Sequence, residues 1–223
     1  MAMSQAAPKS LKEPINDSLA IVRSSAADAA RLFANLSADE ALLQSIAQAG
    51  EMVAGCLKSG NKVLCCGNGG SMADAIHLAE ELSGCFRSPR RPLAAIALSD
   101  PGHLSCVAND MGFEEVFARA VFALARPGDL LVAFSTSGSS PNIVKAAEAA
   151  LQVGGGVLAV CGRAESALVA RSTHAVITPG GPWADRVQEL HSLVLHLLVE
   201  VTEARLGLSE PTGVLAAPGR GDA

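Results

Sequence analysis

The sequence predicts an α/β fold in which five short strands, in a mainly parallel sheet, alternate with helices. Two observations support this: five short apolar runs alternate with amphipathic stretches from Lys62 onward, and two helical segments precede the first run. The composition agrees, since 49% of the 223 residues are hydrophobic and 17% are charged, which is ample for a buried core. We expect one domain over residues 15–206, with disordered ends at residues 1–14 and 207–223.

The first element is a pair of helices between Asn16 and Ser59, where Ala, Leu and Ile recur at helical spacing. The stretch from Ser37 to Glu40 has the form of a capping box that opens the second helix, and Gly60 is placed to end it. A helical pair with this much apolar surface often packs against another subunit. We therefore expect a homo-oligomer.

The strands follow the helical pair. They are VLCC, LAAIAL, DLLVAFS, GVLAV and HAVIT, and their alternation with helical segments is typical of repeated βα units. A long apolar helix from Asp185 to Leu206 comes last. In open sheets of this kind, ligands bind beyond the carboxyl ends of the strands, so the loops that follow the strands should carry the functional residues.

Composition excludes several classes of function. A net charge of -5 without a long Lys/Arg block argues against nucleic acid as a partner. No apolar run approaches the roughly 20 residues that cross a bilayer, and the N-terminus lacks the apolar core of a secretion signal, so we expect no membrane partner and a cytoplasmic location. The cysteines show no CxxC spacing, which favours small buried hydrophobic residues over a zinc cluster or disulfide framework.

The loop CGNGGS, residues 66–71, follows the first strand and leads into a helix. Its glycines let backbone N–H groups approach an anion at the helix N-terminus. Met72 stands where a dinucleotide fingerprint needs a third glycine, and the Gly-Lys pair of a P-loop is absent, so both nucleotide-binding interpretations fail. Taken alone, the loop favours a tight strand-to-helix turn in which Ser71 caps the helix.

The loop STSGSSPN, residues 135–142, follows the strand DLLVAFS. Ser140 is placed to cap the next helix, with Pro141 in its first turn, but a cap needs only one hydroxyl. Five hydroxyls in six residues beside a helix N-terminus offer neutral donors that suit a phosphate monoester. This loop therefore predicts a phosphate site.

Together these motifs resemble the SIS-domain family, and within it the phosphoheptose isomerases. STSGSSPN resembles the SIS phosphate loop, and CGNGGS followed by AxHxAEEL resembles phosphoheptose isomerases, as do ANDMGFEEVF (residues 108–117) and WADRVQELHSLVLH (residues 183–196). The resemblance implies a single SIS domain with a five-stranded parallel sheet of flavodoxin-like or Rossmann-like type, and a homotetramer with active sites between subunits. It also implies interconversion of D-sedoheptulose 7-phosphate and D-glycero-D-manno-heptose 7-phosphate, at the start of the ADP- or GDP-heptose biosynthesis that feeds glycans such as lipopolysaccharide.

The same resemblance implies one zinc ion (Zn2+) per subunit. Its implied ligands are His77, Glu81, Gln188 and His196. Spacing alone does not select this set. His77 and Glu81, four apart on one helix face, could jointly bind a metal, but taken alone they favour an ordinary exposed pair. Glu80 is also near His77, and Glu189 aligns with His196 better than Gln188 does. Gln188 is further explained by a capping box that begins at Asp185.

Aldose–ketose isomerisation needs a base, an acid and stabilisation of an enediolate. The resemblance assigns the base to Glu81 and the acid to His196, with zinc polarising the carbonyl. A lone pair that binds zinc cannot accept a proton at the same moment, so either the metal bonds rearrange or the roles are divided differently. The positions that match substrate contacts are Asn68, Gly69, Gly70, Ser71, Glu81, Asn109, Asp110, Ser135, Thr136, Ser137, Ser140, Asp185 and Gln188.

One position departs from the family. Cys85 stands where many phosphoheptose isomerases have an arginine. This difference leaves three questions open: how tightly the sugar binds, which substrate is chosen, and whether Arg87 replaces the missing arginine. Arg87, Arg90 and Arg91 are otherwise interpreted as a solvated basic edge, with the alternative that one of them reaches the sugar phosphate. Three histidines have no matching role and are interpreted as structural: His103, His174 and His191.

Two functions from other classes stay open. One is a catalytically silent SIS protein that binds the bacterial replication initiator, and the presence of both Glu81 and His196 speaks against it. The other is a regulator that senses a sugar phosphate. The helices before Lys62 are too acidic and too apolar to serve as the DNA-binding segment of such a regulator.

Overall fold

The computed structural model describes residues 12–208, with side chains from Asp17 onward. Most of the predicted disordered ends, residues 1–14 and 207–223, lies outside the described residues. The helices within that range are α1 (Lys12–Ala38), α2 (Glu40–Lys58), α3 (Gly70–Ser83), α4 (Pro101–Asp110), α5 (Val116–Leu124), α6 (Pro141–Gln152) and α7 (Ala184–Arg205). The strands are β1 (Val63–Cys66), β2 (Ala95–Ala97), β3 (Leu130–Ser135), β4 (Gly156–Cys161) and β5 (His174–Ile177).

The five strands form one sheet in the order β2-β1-β3-β4-β5, and every neighbouring pair is parallel. The predicted fold class is therefore confirmed, with the strand order of flavodoxin-like folds. β2 is shorter than the predicted run LAAIAL, because only Ala95–Ala97 pair with β1. The strand order reverses between β1 and β3, which is the switch point where ligands bind in such sheets.

Helices cover both faces of the sheet, which is why its central strands are apolar at consecutive positions. In β1 and β3, Cys65, Val132 and Phe134 point into one core cluster with α1, α2, α3 and α7. Leu64 and Leu131 point into the other, with α4, α5 and α6. The sheet is thus the middle of three layers, and α3 and α7 lie side by side on the same face.

The N-terminal helical pair is present, but the predicted capping box is wrong. Helix α1 continues to Ala38, and the Ser37 hydroxyl donates to the carbonyl of Ala34 within it. The cap of α2 is Asp39, whose side chain accepts from the backbone N–H of Leu42 at 3.0 Å. Gly60, with a φ of 81°, follows the end of α2 as predicted.

Two predictions from composition can be compared with the structure. No helix among the described residues is long and apolar enough to span a membrane. All six cysteines are free thiols: Cys65, Cys66 and Cys161 are buried as predicted, while Cys56 is half-buried and Cys85 and Cys106 are exposed.

Candidate active site

The two predicted loops meet at the switch point between β1 and β3. They enclose a cavity of about 60 Å³ together with one side chain from α7. The residues that line this cavity are Asn68, Ser71, Phe134, Ser135, Thr136, Ser140 and Gln188. Phe134 apart, the lining side chains are polar and uncharged.

The β1–α3 loop needs its glycines for steric reasons. A Cβ at Gly67 would lie 2.2 Å from the carbonyl oxygen of Ser71, and Gly69 has a φ of 56°, which favours glycine. Gly69 is the N-cap of α3, so the alternative in which Ser71 caps the helix is wrong. Ser71 instead lies buried in the first turn and lines the cavity.

The β3–α6 loop turns on Gly138, whose φ is 65° and whose N–H donates to the Ser135 hydroxyl at 3.0 Å. Ser140 is the N-cap of α6, with Pro141 at the first position, but its hydroxyl makes no capping bond. Two hydrogen bonds of 2.8 and 2.9 Å between the amides of Asn68 and Asn142 join the two loops. The loops are therefore held together while hydroxyls stay available for a ligand.

Helix N-termini add a positive potential to this edge of the sheet. Helices α3, α6 and α7 all begin at the carboxyl ends of strands, and none has a side-chain cap. By contrast, Asp39 and Asp100 cap α2 and α4. Uncapped N–H groups and the helix dipole favour an anion, and hydroxyls supply further donors. The predicted phosphate site is thus a neutral, donor-rich cavity.

A second group of side chains lies farther along α3 and α7, beyond the cavity. His77 and Glu81 on α3 meet His196 on α7: Nε2 of His77 is 3.2 Å from Oε1 of Glu81 and 3.3 Å from Nε2 of His196. One ligand atom from each residue lies within 4.8 Å of the other two. We call these three residues the His77 cluster.

The donor set of this cluster fits a zinc ion. Zinc bonds of about 2.1 Å in a tetrahedron place neighbouring ligand atoms about 3.4 Å apart, close to the two short distances observed. Two imidazole Nε2 atoms that face each other hold either a proton or a cation between them. His77, Glu81 and His196 would therefore hold the ion on three sides.

Aromatic and charged neighbours surround His196. Phe86 stacks on its imidazole with ring centroids 5.9 Å apart, and Arg87 lies 4.9 Å above the Phe86 ring and binds Glu200 at 2.5 Å. Burial, with a contribution from His77, lowers the pKa of His196 below its usual value. The Cys85 thiol is exposed and donates to the carbonyl of Ser88.

Gln188 lines the cavity formed by the two loops, which we call the hydroxyl cavity, and does not lie with the three cluster residues. A Cβ added to Gly70 would lie 2.4 Å from Oε1 of Gln188. At 1.5 Å per residue, the eight positions to His196 correspond to about 12 Å along α7. Its role as a zinc ligand stays a prediction. The capping box beginning at Asp185 is wrong, since the N-cap of α7 is Trp183 and Asp185 lies in the first turn.

Other predicted contact residues lie outside the cavity lining. Asn109 and Asp110 are exposed at the end of α4 and bond to each other at 2.7 Å. Asp185 is exposed beside Arg186, and Ser137 lines a neighbouring cavity with Thr136. Their contacts with substrate stay predictions.

The three histidines without a matching role have structural surroundings. His103 bonds to the carbonyl of Val116 and His174 to Ser45, while His191 is fully buried against Phe134. Arg90 is not part of a solvated edge: its side chain is 2% exposed and pairs with Glu203.

Sequence reasoning missed a buried pair between the cavity and the cluster. Asp74 on α3 accepts from the Ser192 hydroxyl on α7 at 2.8 Å, and its second oxygen is buried without a partner among the described residues. Burial raises the pKa of Asp74. The sequence could have indicated the place of Asp74 near the site, because Asp74 lies three residues before His77 and residues three apart share a helix face.

Known proteins resemble this chain in sequence and in fold over most of its length. A family model described as SIS domain matches residues 26–162. The phosphoheptose isomerase of Edwardsiella ictaluri (strain 93-146) is 42% identical over 186 residues, which are 83% of this chain and 96% of that protein. A phosphoheptose isomerase structure from Francisella tularensis has a TM-score of 0.79 at 34% identity, covering 84% of this chain and 98% of that one. For phosphoheptose isomerase GmhA from Neisseria gonorrhoeae the TM-score is 0.77 at 35% identity, covering 83% and 98%.

Proposed function

The chain belongs to the phosphoheptose isomerases of the SIS-domain family and is an isomerase, and from that premise we propose that it interconverts D-sedoheptulose 7-phosphate and D-glycero-D-manno-heptose 7-phosphate. The phosphate would bind in the hydroxyl cavity. The C1–C2 end would lie at the His77 cluster, where proton transfer occurs.

The separation between the two sites is the observation that carries this proposal. Ser71 and His77 are six residues apart on α3, and Gln188 and His196 are eight apart on α7, which correspond to about 9 and 12 Å of helix. With C–C bonds of about 1.5 Å, an extended seven-carbon chain spans about 10 Å from C1 to the phosphorus. A heptose 7-phosphate that lies along α3 and α7 with its phosphate at the cavity would therefore reach the His77 cluster.

Glu81 suits the role of base. Its Oε1 faces His77, and because a carboxylate has two oxygens, the other can take the proton between C1 and C2. His196 presents Nε2 to the same cluster, so that atom serves the substrate oxygen only when it is not bound to a metal. A divalent ion held by the cluster would supply Lewis-acid stabilisation of the enediolate.

We propose zinc, one ion per subunit, as that cation. The support is the ligand spacing in the His77 cluster and the mixed nitrogen and carboxylate donors that zinc accepts. Dialysis against a strong chelator should lower activity, and stoichiometric zinc should restore it. Full turnover by rigorously metal-free protein would refute the zinc role while leaving the acid and base assignments in place.

A homotetramer is proposed from the exposed apolar side chains. Ile21 and Val22 on α1 are 69% and 61% exposed, and Phe113 and Phe122 on another part of the surface are 60% and 50% exposed. Two separate apolar surfaces suit the two kinds of interface in a tetramer with dihedral symmetry. Light scattering that gives a monomer mass at micromolar concentration would contradict this.

The cytoplasmic location and the place at the start of ADP- or GDP-heptose biosynthesis stay predictions.

The central experiment follows purified protein with D-sedoheptulose 7-phosphate by NMR. Glu81→Gln keeps the size of the side chain but removes its basicity, and His196→Asn removes the acid, so each should lower kcat by about 10²- to 10⁴-fold. Substrate affinity measured by calorimetry should change little, because the hydroxyl cavity is untouched. Glu80→Gln, the neighbouring and more exposed carboxylate on α3, is the matched control and should retain activity.

The same measurements distinguish the rival functions. Near-normal kcat in both cluster variants would overturn the catalytic assignment. An inactive parent protein that still binds the sugar phosphate would favour a binding protein or a sugar-phosphate sensor over an isomerase.

A further inference from the structure

Arg90 lies beneath the carboxyl end of α3, where its guanidinium contacts both α3 and α7. Its Nε donates to Glu203 of α7 at 2.5 Å, and its Nη2 donates to the carbonyl of Glu81 at 2.5 Å. Its Nη1 donates to the carbonyls of Leu82 and Gly84 at 2.9 and 3.3 Å. The side chains of Arg90 and Glu203 are 2% and 4% exposed.

These bonds provide partners for two kinds of group, the last carbonyls of α3 and the buried guanidinium itself. The last carbonyls of a helix lack partners within the helix, and a cation is favoured there by the helix dipole. A buried guanidinium also needs a compensating charge, which Glu203 provides. Arg90 thereby attaches the end of α3 to α7 through one rigid, planar group.

The His77 cluster depends on the placement of the same two helices. His77 and Glu81 both come from α3, where they lie 3.2 Å apart, and His196 comes from α7. The 3.3 Å separation between His77 and His196 is therefore set by how α3 and α7 pack. The Asp74–Ser192 hydrogen bond joins the helices on the amino side of α3, and the Arg90–Glu203 pair joins them on the carboxyl side.

We propose that Arg90, together with Glu203, is a positioning residue that holds Glu81 and His77 at ligand distance from His196. It acts through the Glu81 carbonyl, not through substrate. The proposal rests on the proposed function for the use of the cluster, but its effect on metal affinity is separate from turnover. The hydroxyl cavity lies on loops that Arg90 does not contact, so phosphate binding should be spared.

The test compares Arg90→Met and Glu203→Gln with a matched control. Lys62 and Asp129 form an ion pair of 2.5 Å at the amino end of the sheet, in which the Asp129 side chain is 4% exposed and the Lys62 side chain is 31% exposed. Zinc affinity is measured by competition with a chromophoric chelator, beside thermal stability and steady-state kinetics. Asp129→Asn should lower Tm as the Arg90 and Glu203 variants do but leave zinc affinity unchanged.

In the Arg90 and Glu203 variants, zinc affinity should fall by about 10- to 100-fold, the range for outer-shell partners of a metal site. kcat should fall with little change in KM, because binding through the hydroxyl cavity persists. Arg90→Lys keeps the charge without the planar fork and should recover part of the affinity.

Zinc affinity within twofold of the parent in Glu203→Gln would overturn the proposal, even if Arg90→Met fails to fold. An equal loss of affinity in Asp129→Asn would overturn it as well, since the effect would then be general destabilisation. A parent protein that binds zinc but does not isomerise the heptose phosphate would contradict the proposed function alone, and the affinity comparison would still decide the role of Arg90.

Discussion

Mild acid should destabilise this protein through His191. The imidazole is 0% exposed on the inner face of α7, and burial lowers its pKa from 6.5 to about 4. Neither ring nitrogen has a hydrogen-bond partner of good geometry among the described residues, although the Cys161 backbone raises the pKa in part. The folded protein therefore keeps His191 neutral at a pH where the unfolded chain protonates it.

The size of the effect follows from linkage. Because the folded-state pKa is depressed, the stability is fully present above pH 6.5 and is lost as the pH falls towards about 4. Each pH unit between these values costs about 1.4 kcal/mol, so the loss is about 2 kcal/mol at pH 5 and about 3 kcal/mol at full protonation. That is a substantial part of the free energy of unfolding of a typical domain.

The measurement uses His191→Met, an apolar side chain of similar size that does not titrate. Urea unfolding at pH 7.5 and pH 5, at equal protein concentration and with chelator present, gives the free energy of unfolding for parent and variant. Groups common to both proteins cancel in the comparison, including the His77 cluster. The parent should lose about 2 kcal/mol more than the variant between the two pH values. An equal loss in both proteins would show that His191 is hydrated or partnered in the folded state.

Three further substitutions test the site. Gly67→Ala places a Cβ 2.2 Å from the backbone oxygen of Ser71, so the loop must shift, and we expect KM to rise at least tenfold with a lower Tm. Gly70→Ala meets only the Gln188 side-chain amide, at 2.4 Å, which can rotate, so KM should rise less and Tm should stay within a few degrees. Cys85→Arg should lower KM for the heptose phosphate if the pocket still accepts the family arginine, and an unchanged KM would indicate a rebuilt pocket.

Local sequence determined the strands and the two loops. Apolar runs of four to seven residues between helical segments are typical of strands buried on both sides in a parallel sheet. Each of the five runs contributes one strand, although only Ala95–Ala97 of LAAIAL pair. The steric requirement at Gly67 is local, because a Cβ there would meet the backbone of Ser71. At Gly138 a Cβ would instead meet Ser166 and Cys161, which only the tertiary structure brings close. The hydroxyl-rich loop likewise lies at the switch point, since the carboxyl ends of parallel strands share one edge.

The helix caps show where local pattern was insufficient. Ser37 to Glu40 satisfied the capping-box pattern, but α1 continues through Ser37 and the cap is Asp39. A motif of four residues does not say which of two adjacent polar side chains leaves the helix. In the folded chain α1 and α2 both contact α7, and those contacts are not contained in a four-residue motif.

The tertiary structure alone decided which distant side chains meet. Sequence spacing left Glu80 beside Glu81 and Glu189 beside Gln188 as open alternatives, because each helix offers several polar positions on neighbouring faces. Packing of α3 on α7 brings ligand atoms of His77, Glu81 and His196 within 4.8 Å of one another. Glu80 also approaches His77, at 3.9 Å, but it is not a member of that mutually close group. The same packing buries Arg90 against Glu203, a pair 113 residues apart whose interaction no local pattern contains, because it depends on where two helices end in space.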